Sequence, residues 1–122
     1  MIVLVALAGG LGAACRFLID SALAARTRRN FPVGTLVINV TGSFLLGLLV
    51  GWAQQHGPGA EPARAVLGTG FLGGYTTFST ASVELVRLTR AGRRAAALGL
   101  ACGMLGFSVA AAAAGVACGT RL

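Results

Sequence analysis

Apolar residues run along this chain in four long stretches, and charged residues gather mainly in the gaps between them. Met1–Cys15 carries no charged side chain, and the apolar pattern continues past Arg16 through Phe17–Ile19. Residues 30–60, 65–83 and 95–120 contain no Asp, Glu, Lys or Arg. A bilayer core of about 30 Å is crossed by about 20 helical residues. The pattern therefore predicts four transmembrane helices, at about 2–24, 34–54, 65–87 and 95–118, forming one domain over 1–122. The connections are short: 25–33, 55–64 and 88–94. The middle one, QHGPGAEPAR, has the Pro and Gly content of a surface turn. No charged leader precedes Ile2, so no separate signal peptide is expected. A β-barrel is excluded, because no segment alternates and the run Ala110–Ala114 favours helix. The expected fold class is an all-α membrane protein.

Composition supports that reading. Of 122 residues, 56% are hydrophobic and only 11% charged, against about 25% charged in an ordinary soluble domain. Mean hydropathy is +0.82. A soluble fold this small would expose much of that apolar surface to water, which argues against a soluble enzyme or a disordered tail. Cys15, Cys102 and Cys118 lie in apolar runs at no metal-ligand spacing and read as small buried residues.

The net charge of +7 comes from ten arginines, with no lysine, against Asp20, Glu61 and Glu84. The arginines flank apolar runs rather than forming a basic helix face, so nucleic acid is not an expected partner and membrane lipid is. With four spans, the first and third connections share one side. That side holds Arg26, Arg28, Arg29, Arg87, Arg90, Arg93 and Arg94; the other holds only Arg64 and Arg121. The bias predicts a cell-membrane protein with both termini outside and the first and third loops cytoplasmic. Gly47/Gly51, Gly70/Gly74, Gly99/Gly103 and Gly115/Gly119 are all spaced i, i+4, as in close helix packing within lipid.

Polar residues at membrane depth are costly, so each is a candidate for function. The sequence Gly73-Gly74-Tyr75-Thr76-Thr77-Phe78-Ser79-Thr80-Ala81-Ser82 places five hydroxyls within seven residues after two glycines. Two readings fit it: a helix break whose freed carbonyls and hydroxyls meet ions, or a continuous helix with Ser and Thr bonded back to i−4 carbonyls. Thr35, Asn39 and Ser43 lie at i, i+4 and i+8, a polar stripe that favours a pore over simple helix glue. Arg16 and Asp20 read either as an interfacial i, i+4 ion pair or as a vestibule charge that attracts anions. Glu84 with Arg87 reads as a surface pair or an ion-path group. Ser108 is the one strongly polar side chain in the last span, and back-bonding to its own helix is its plain alternative. His56 is the only histidine, and no carboxylate pair exists for acid–base work, so an enzyme is not expected.

Three motifs together resemble the Fluc (CrcB) family of fluoride channels: Gly9-Gly10-Leu-Gly12-Ala13-Ala14-Cys-Arg16-Phe17, Gly34-Thr35-Leu36-x-x-Asn39-x-x-Gly42-Ser43-Phe44-x-x-Gly47, and Gly70-Phe71-x-Gly73-Gly74-x-Thr76-Thr77-Phe78-Ser79-Thr80. The resemblance covers the whole chain. It implies a fluoride-selective channel that exports cytoplasmic fluoride passively and so lowers its toxicity. It implies an antiparallel dimer with two pores, a third helix broken near its middle, and a structural Na⁺, not transported, on the backbone carbonyls of Gly73 and Thr76. By the same resemblance, Asn39, Phe78, Ser79, Ser82, Glu84 and Ser108 belong to the fluoride path; Arg16 joins them on its own reading as a vestibule charge.

Two positions depart from the family pattern. A second Phe is usual where this chain has Ala81, and a Tyr where it has Met104. Together with the arginine bias, these departures favour pairing with a related, oppositely oriented subunit over pairing with itself. The alternatives are a structural half with a degenerate pore and, more remotely, a small multidrug transporter. A transporter of that type needs a membrane-embedded carboxylate in the first span, where this chain has Arg16.

Overall fold

The computed structural model describes residues 1–26 and 33–122, with the side chains of Ser79 and Thr80 outside the description. Arg28 and Arg29, two of the arginines in the predicted orientation bias, also fall outside it. The described residues are helical, with no strand among them. Helix α1 is Ile2–Arg26 and α2 is Val33–His56. A 3-10 turn, Gly57–Ala60, leads into the short α3, Glu61–Ala63, then a π-helical stretch Arg64–Leu72 and the short α4, Gly73–Tyr75. Helix α5 is Phe78–Arg90 and α6 is Arg94–Gly119.

The ends of these elements follow from local chemistry. Gly57 takes φ +64°, a left-handed conformation that stops α2 without steric cost, and Pro58 opens the 3-10 turn. The chain doubles back there, since Gly68 faces Leu46 and Leu49 of α2. Gly92 takes φ +78° after α5, and the Arg93 N–H reaches back to the Leu88 carbonyl at 2.8 Å, closing the helix end.

Three stretches are long and apolar enough to cross a membrane: Ile2–Arg26, the 43-residue run Val33–Tyr75, and Arg94–Gly119. The expected second span and the first half of the expected third thus lie in one nearly continuous helical run. The remaining half, Phe78–Arg90, is only 13 residues long and follows an interruption at Thr76 and Thr77. Of the two readings of the Gly73–Ser82 segment, the helix break is the one observed.

Packing joins α1 to the 64–75 run and α2 to α6, with both members of each pair running in the same direction. Backbones approach closely in both seams. A methyl at Gly12 would fall on the Phe71 carbonyl, and one at Gly74 on that of Gly9. In the other seam, a methyl at Gly47 would meet the Ala112 carbonyl, and one at Gly115 that of Phe44. Close approach increases dispersion contact where lipid offers no hydrophobic gain. The fourth spaced pair behaves differently: Gly99 has open space around it, and Gly103 meets only the ring of Phe107 from its own helix.

Two small cores hold the seams together. Ile38, Leu72 and Tyr75 pack with Cys15 and Phe71; Ala81, Leu88, Ala97, Leu100 and Met104 pack with Leu36, Leu85 and Ala96. Most large apolar side chains of α1 and many of α6 point outward, including Leu7, Phe17, Leu98 and Phe107. Of the cysteines expected to be buried, Cys15 is half-buried while Cys102 and Cys118 are exposed on that same apolar surface. Outward apolar groups are the stable arrangement when the surrounding solvent is hydrocarbon.

Candidate functional site at the helix break

The interruption in the third helical run is small and specific. Thr76 is extended, with φ −79° and ψ 155°, so the chain leaves the helix for two residues and resumes at Phe78. Both Thr76 N–H and Thr76 Oγ1 donate to the Leu72 carbonyl at 2.9 Å, anchoring the upstream end. Thr77 is held from α2. Its N–H donates to Asn39 Oδ1 at 3.0 Å, and its carbonyl accepts from Asn39 Nδ2 at 3.1 Å. One amide side chain thus closes both backbone groups of a residue that has left its helix. An unpaired peptide group at membrane depth is costly, which makes this clasp the condition for the break. Asn39 Nδ2 also lies 3.8 Å from Met104 Sδ, a weak acceptor.

The break frees other groups. In a continuous helix the Gly73 carbonyl would accept from Thr77 N–H, which Asn39 has taken. The Gly74 carbonyl instead accepts from Arg16 Nε on α1 at 3.3 Å. A cation at the C-terminal end of a helical run is favourably placed in its dipole field. Tyr75, buried under the break, shares a 3.0 Å hydrogen bond with Thr41.

Beside the break opens a groove of about 560 Å³. Asn39 and Ser43 enter from α2, Met104 and Ser108 from α6, and Gly73, Thr76, Thr77, Phe78, Ala81 and Ser82 from the broken run. Phe78 is 86% exposed, a large aromatic ring unpacked within its own chain at the groove's edge. Ser82 Oγ donates to its own helix at Phe78 O, 3.0 Å away.

The sequence-predicted residues therefore divide. Asn39, Gly73, Thr76, Phe78, Ser82 and Ser108 come together around one groove. Ser79 belongs to α5, with its side chain outside the description. Glu84 does not line the groove; its side chain, 26% exposed, pairs with Arg87 at 3.7 Å. Arg16 also lies outside the groove wall, and the ion pair with Asp20, one of its two readings, is not formed. Arg16 turns to the Gly74 carbonyl, while the Asp20 carboxylate lies against Gly34 at the start of α2, where the helix dipole favours an anion. The polar stripe also splits: Thr35 is 3% exposed and buried away from the groove, whereas Asn39 and Ser43 line it. Ser108 makes no hydrogen bond to its own helix.

Sequence reasoning missed the partners of Asn39. A polar residue at membrane depth was visible, but Thr77 and Met104 lie 38 and 65 positions away. The i, i+4 spacing of Met104 and Ser108 was the only local signal that they share a face.

Residues 3–119 match the family model described as CrcB-like protein, Camphor Resistance (CrcB). The chain is 51% identical over 116 residues to "Fluoride-specific ion channel FluC 1" of Leifsonia xyli, covering 95% of this chain and 84% of that protein. It is 51% identical over 119 residues to "Fluoride-specific ion channel FluC 2" of Cutibacterium acnes, covering 97% and 96%. It is 46% identical over 113 residues to "Fluoride-specific ion channel FluC 3" of Bifidobacterium longum, covering 93% of each. With its helix break, glycine seams and near-complete coverage, the chain belongs to the CrcB-like family.

Proposed function

We propose that this chain is a subunit of a fluoride channel in the cell membrane, passing fluoride passively down its gradient and out of the cytoplasm. The observation that carries the reading is the groove beside the Asn39–Thr77 clasp, where hydrogen-bond donors meet an aromatic ring with no carboxylate among the described residues of its wall. The names of the relatives, fluoride-specific ion channels, point to the same ion. Fluoride is small and strongly hydrated, so a pore must replace its water with donors. Asn39 and Ser108 are such donors, Ser82 becomes one when its hydroxyl leaves the Phe78 carbonyl, and Phe78 can offer its electropositive ring edge. Ser79 and Glu84 continue the path in this reading, and Arg16 supplies positive potential beside the break. An enzyme or a multidrug transporter finds no support in these relatives.

Four crossings are the reading that the helix lengths support. The run Val33–Tyr75 is 43 residues long, about twice what a bilayer core requires, and it doubles back at Gly57–Ala60. Phe78–Arg90 then completes a crossing begun at Arg64. Both termini lie outside, with the arginine-rich turn between α5 and α6 in the cytoplasm.

The groove is open on one side and Phe78 is unpacked, so a second, antiparallel subunit completes the pore. The carbonyls of Gly73 and Thr76 fit a structural Na⁺: the first has lost its helical donor, and the extended Thr76 turns its own off the helix path. Two neutral oxygens are too few to replace a cation's water, so the same pair from the second subunit is required. Such an ion would supply fixed positive charge near the anion path.

The second subunit is a related chain rather than an identical one. Ala81 and Met104 both face the groove, so a self-paired dimer would lack the second ring and the phenol in both pores. Fluoride efflux from liposomes tests the whole reading. Efflux is expected with the chain and an oppositely oriented relative together. Robust efflux from this chain alone would refute obligate pairing, and no efflux in either preparation would refute the channel.

A further inference from the structure

The seam between α2 and α6 keeps one register. Asn39 meets Met104, and the backbone of Gly47 meets Ala112 and that of Gly51 meets Val116. Each pair is separated by 65 positions, and successive contacts fall four residues apart or a multiple of four. The register places Ser43 level with Ser108, one turn or about 6 Å along the seam from Asn39. Both serines are half-buried and both line the groove.

Their hydroxyls differ from those of Thr41, Thr76 and Ser82 around the same groove and break. A mid-helix Ser or Thr commonly bonds back to the carbonyl four residues earlier. Thr41, Thr76, Ser82 and Thr89 do so, at 2.7 to 3.0 Å. Ser43 and Ser108 do not, and among the described residues neither has a hydrogen-bond partner. No fully buried side-chain polar atom there lacks a partner, so these two hydroxyls face the open space of the groove. Asn39, by contrast, has one N–H committed to Thr77 and the other directed at Met104 sulfur.

We propose that Ser43 is a further fluoride ligand, forming with Ser108 a two-hydroxyl station one turn beyond Asn39. The inference rests on the channel reading above. Two rotatable O–H donors on facing helices can converge on one small anion at short distance, whereas a larger halide would need the closely packed seam to widen. The station takes the ion as it leaves the second N–H of Asn39, which loses only a weak sulfur contact when it turns to fluoride.

The test uses the full chain in liposomes loaded with potassium fluoride, with an oppositely oriented relative present if the chain alone does not conduct. Ser43→Thr and Ser43→Val have nearly the same shape and differ in the hydroxyl. The valine variant is expected to pass fluoride about tenfold more slowly than the threonine variant, the effect of one lost charge-assisted donor. Ser43→Ala, which adds no bulk, is expected to show the same tenfold loss against wild type. Equal rates for Thr and Val, with Ala conducting like wild type, would overturn the station while leaving the channel reading intact. No fluoride efflux from wild type in either preparation would overturn both.

Discussion

Asn39 is the residue on which the site turns. Its amide occupies both the N–H and the C=O of Thr77, so its first role is to hold the break open at fixed geometry. Asn39→Ala would remove both hydrogen bonds of the clasp, at about 1–3 kcal/mol each. We expect a fall in melting temperature in detergent together with loss of fluoride flux. Asn39→Asp keeps an acceptor for the Thr77 N–H but removes the donor and adds negative charge. A carboxylate oxygen would then face the Thr77 carbonyl, so this variant should also lose stability and pass no fluoride. If Asn39→Ala melts like wild type, the clasp does not support the fold. An intramembrane amide is conspicuous in sequence because of what it costs there. Its partner was not legible, because a backbone group carries no side-chain signal and the contact spans 38 positions.

At the scale of elements, the glycine spacings show how far pattern reading extends. Four pairs at i, i+4 look alike in sequence, yet only three pack against another helix within the chain. Spacing reveals a smooth helix face but not what lies opposite. Gly115→Ala should destabilise the chain by about 1–3 kcal/mol, because its methyl would strike the Phe44 backbone, which cannot swing aside as a side chain can. Gly99→Ala meets open space and should be neutral, or stabilising by about 0.5–1 kcal/mol through helix propensity. Thermal unfolding of the two variants in one detergent measures the contrast, and equal melting would refute the seam. The break itself was foreshadowed by Gly73-Gly74 followed by Thr76-Thr77, since all four are mediocre helix formers. Its position depended on Leu72 anchoring Thr76 and on Asn39 receiving the freed N–H of Thr77.

For the whole molecule, orientation and assembly are the open consequences. Gly59→Cys and Ala91→Cys, each in a background without the native cysteines, should label differently from outside with a membrane-impermeant reagent. Residue 59 should react in intact cells and residue 91 only after permeabilisation. The reverse would overturn the arginine-based orientation. The exposed apolar surface of α1 and α6 and the unpacked ring of Phe78 are what a chain surrounded by lipid and a second subunit would show.

The solvent, the helical class and the list of costly polar residues were legible along the chain alone. Each follows from local composition and periodicity: uncharged runs long enough for a bilayer, no alternation, and single polar groups standing out against them. The family likeness was legible in the same way, through motifs contiguous along the chain. Tertiary structure decided which polar residues meet. It turned Arg16 from Asp20 to the Gly74 carbonyl, separated Thr35 from the groove, and set Ser43 opposite Ser108. These outcomes depend on the register of the α2–α6 and α1–third-helix seams. Register is fixed by backbones touching through glycine, and a glycine's sequence position does not reveal which carbonyl it will rest on.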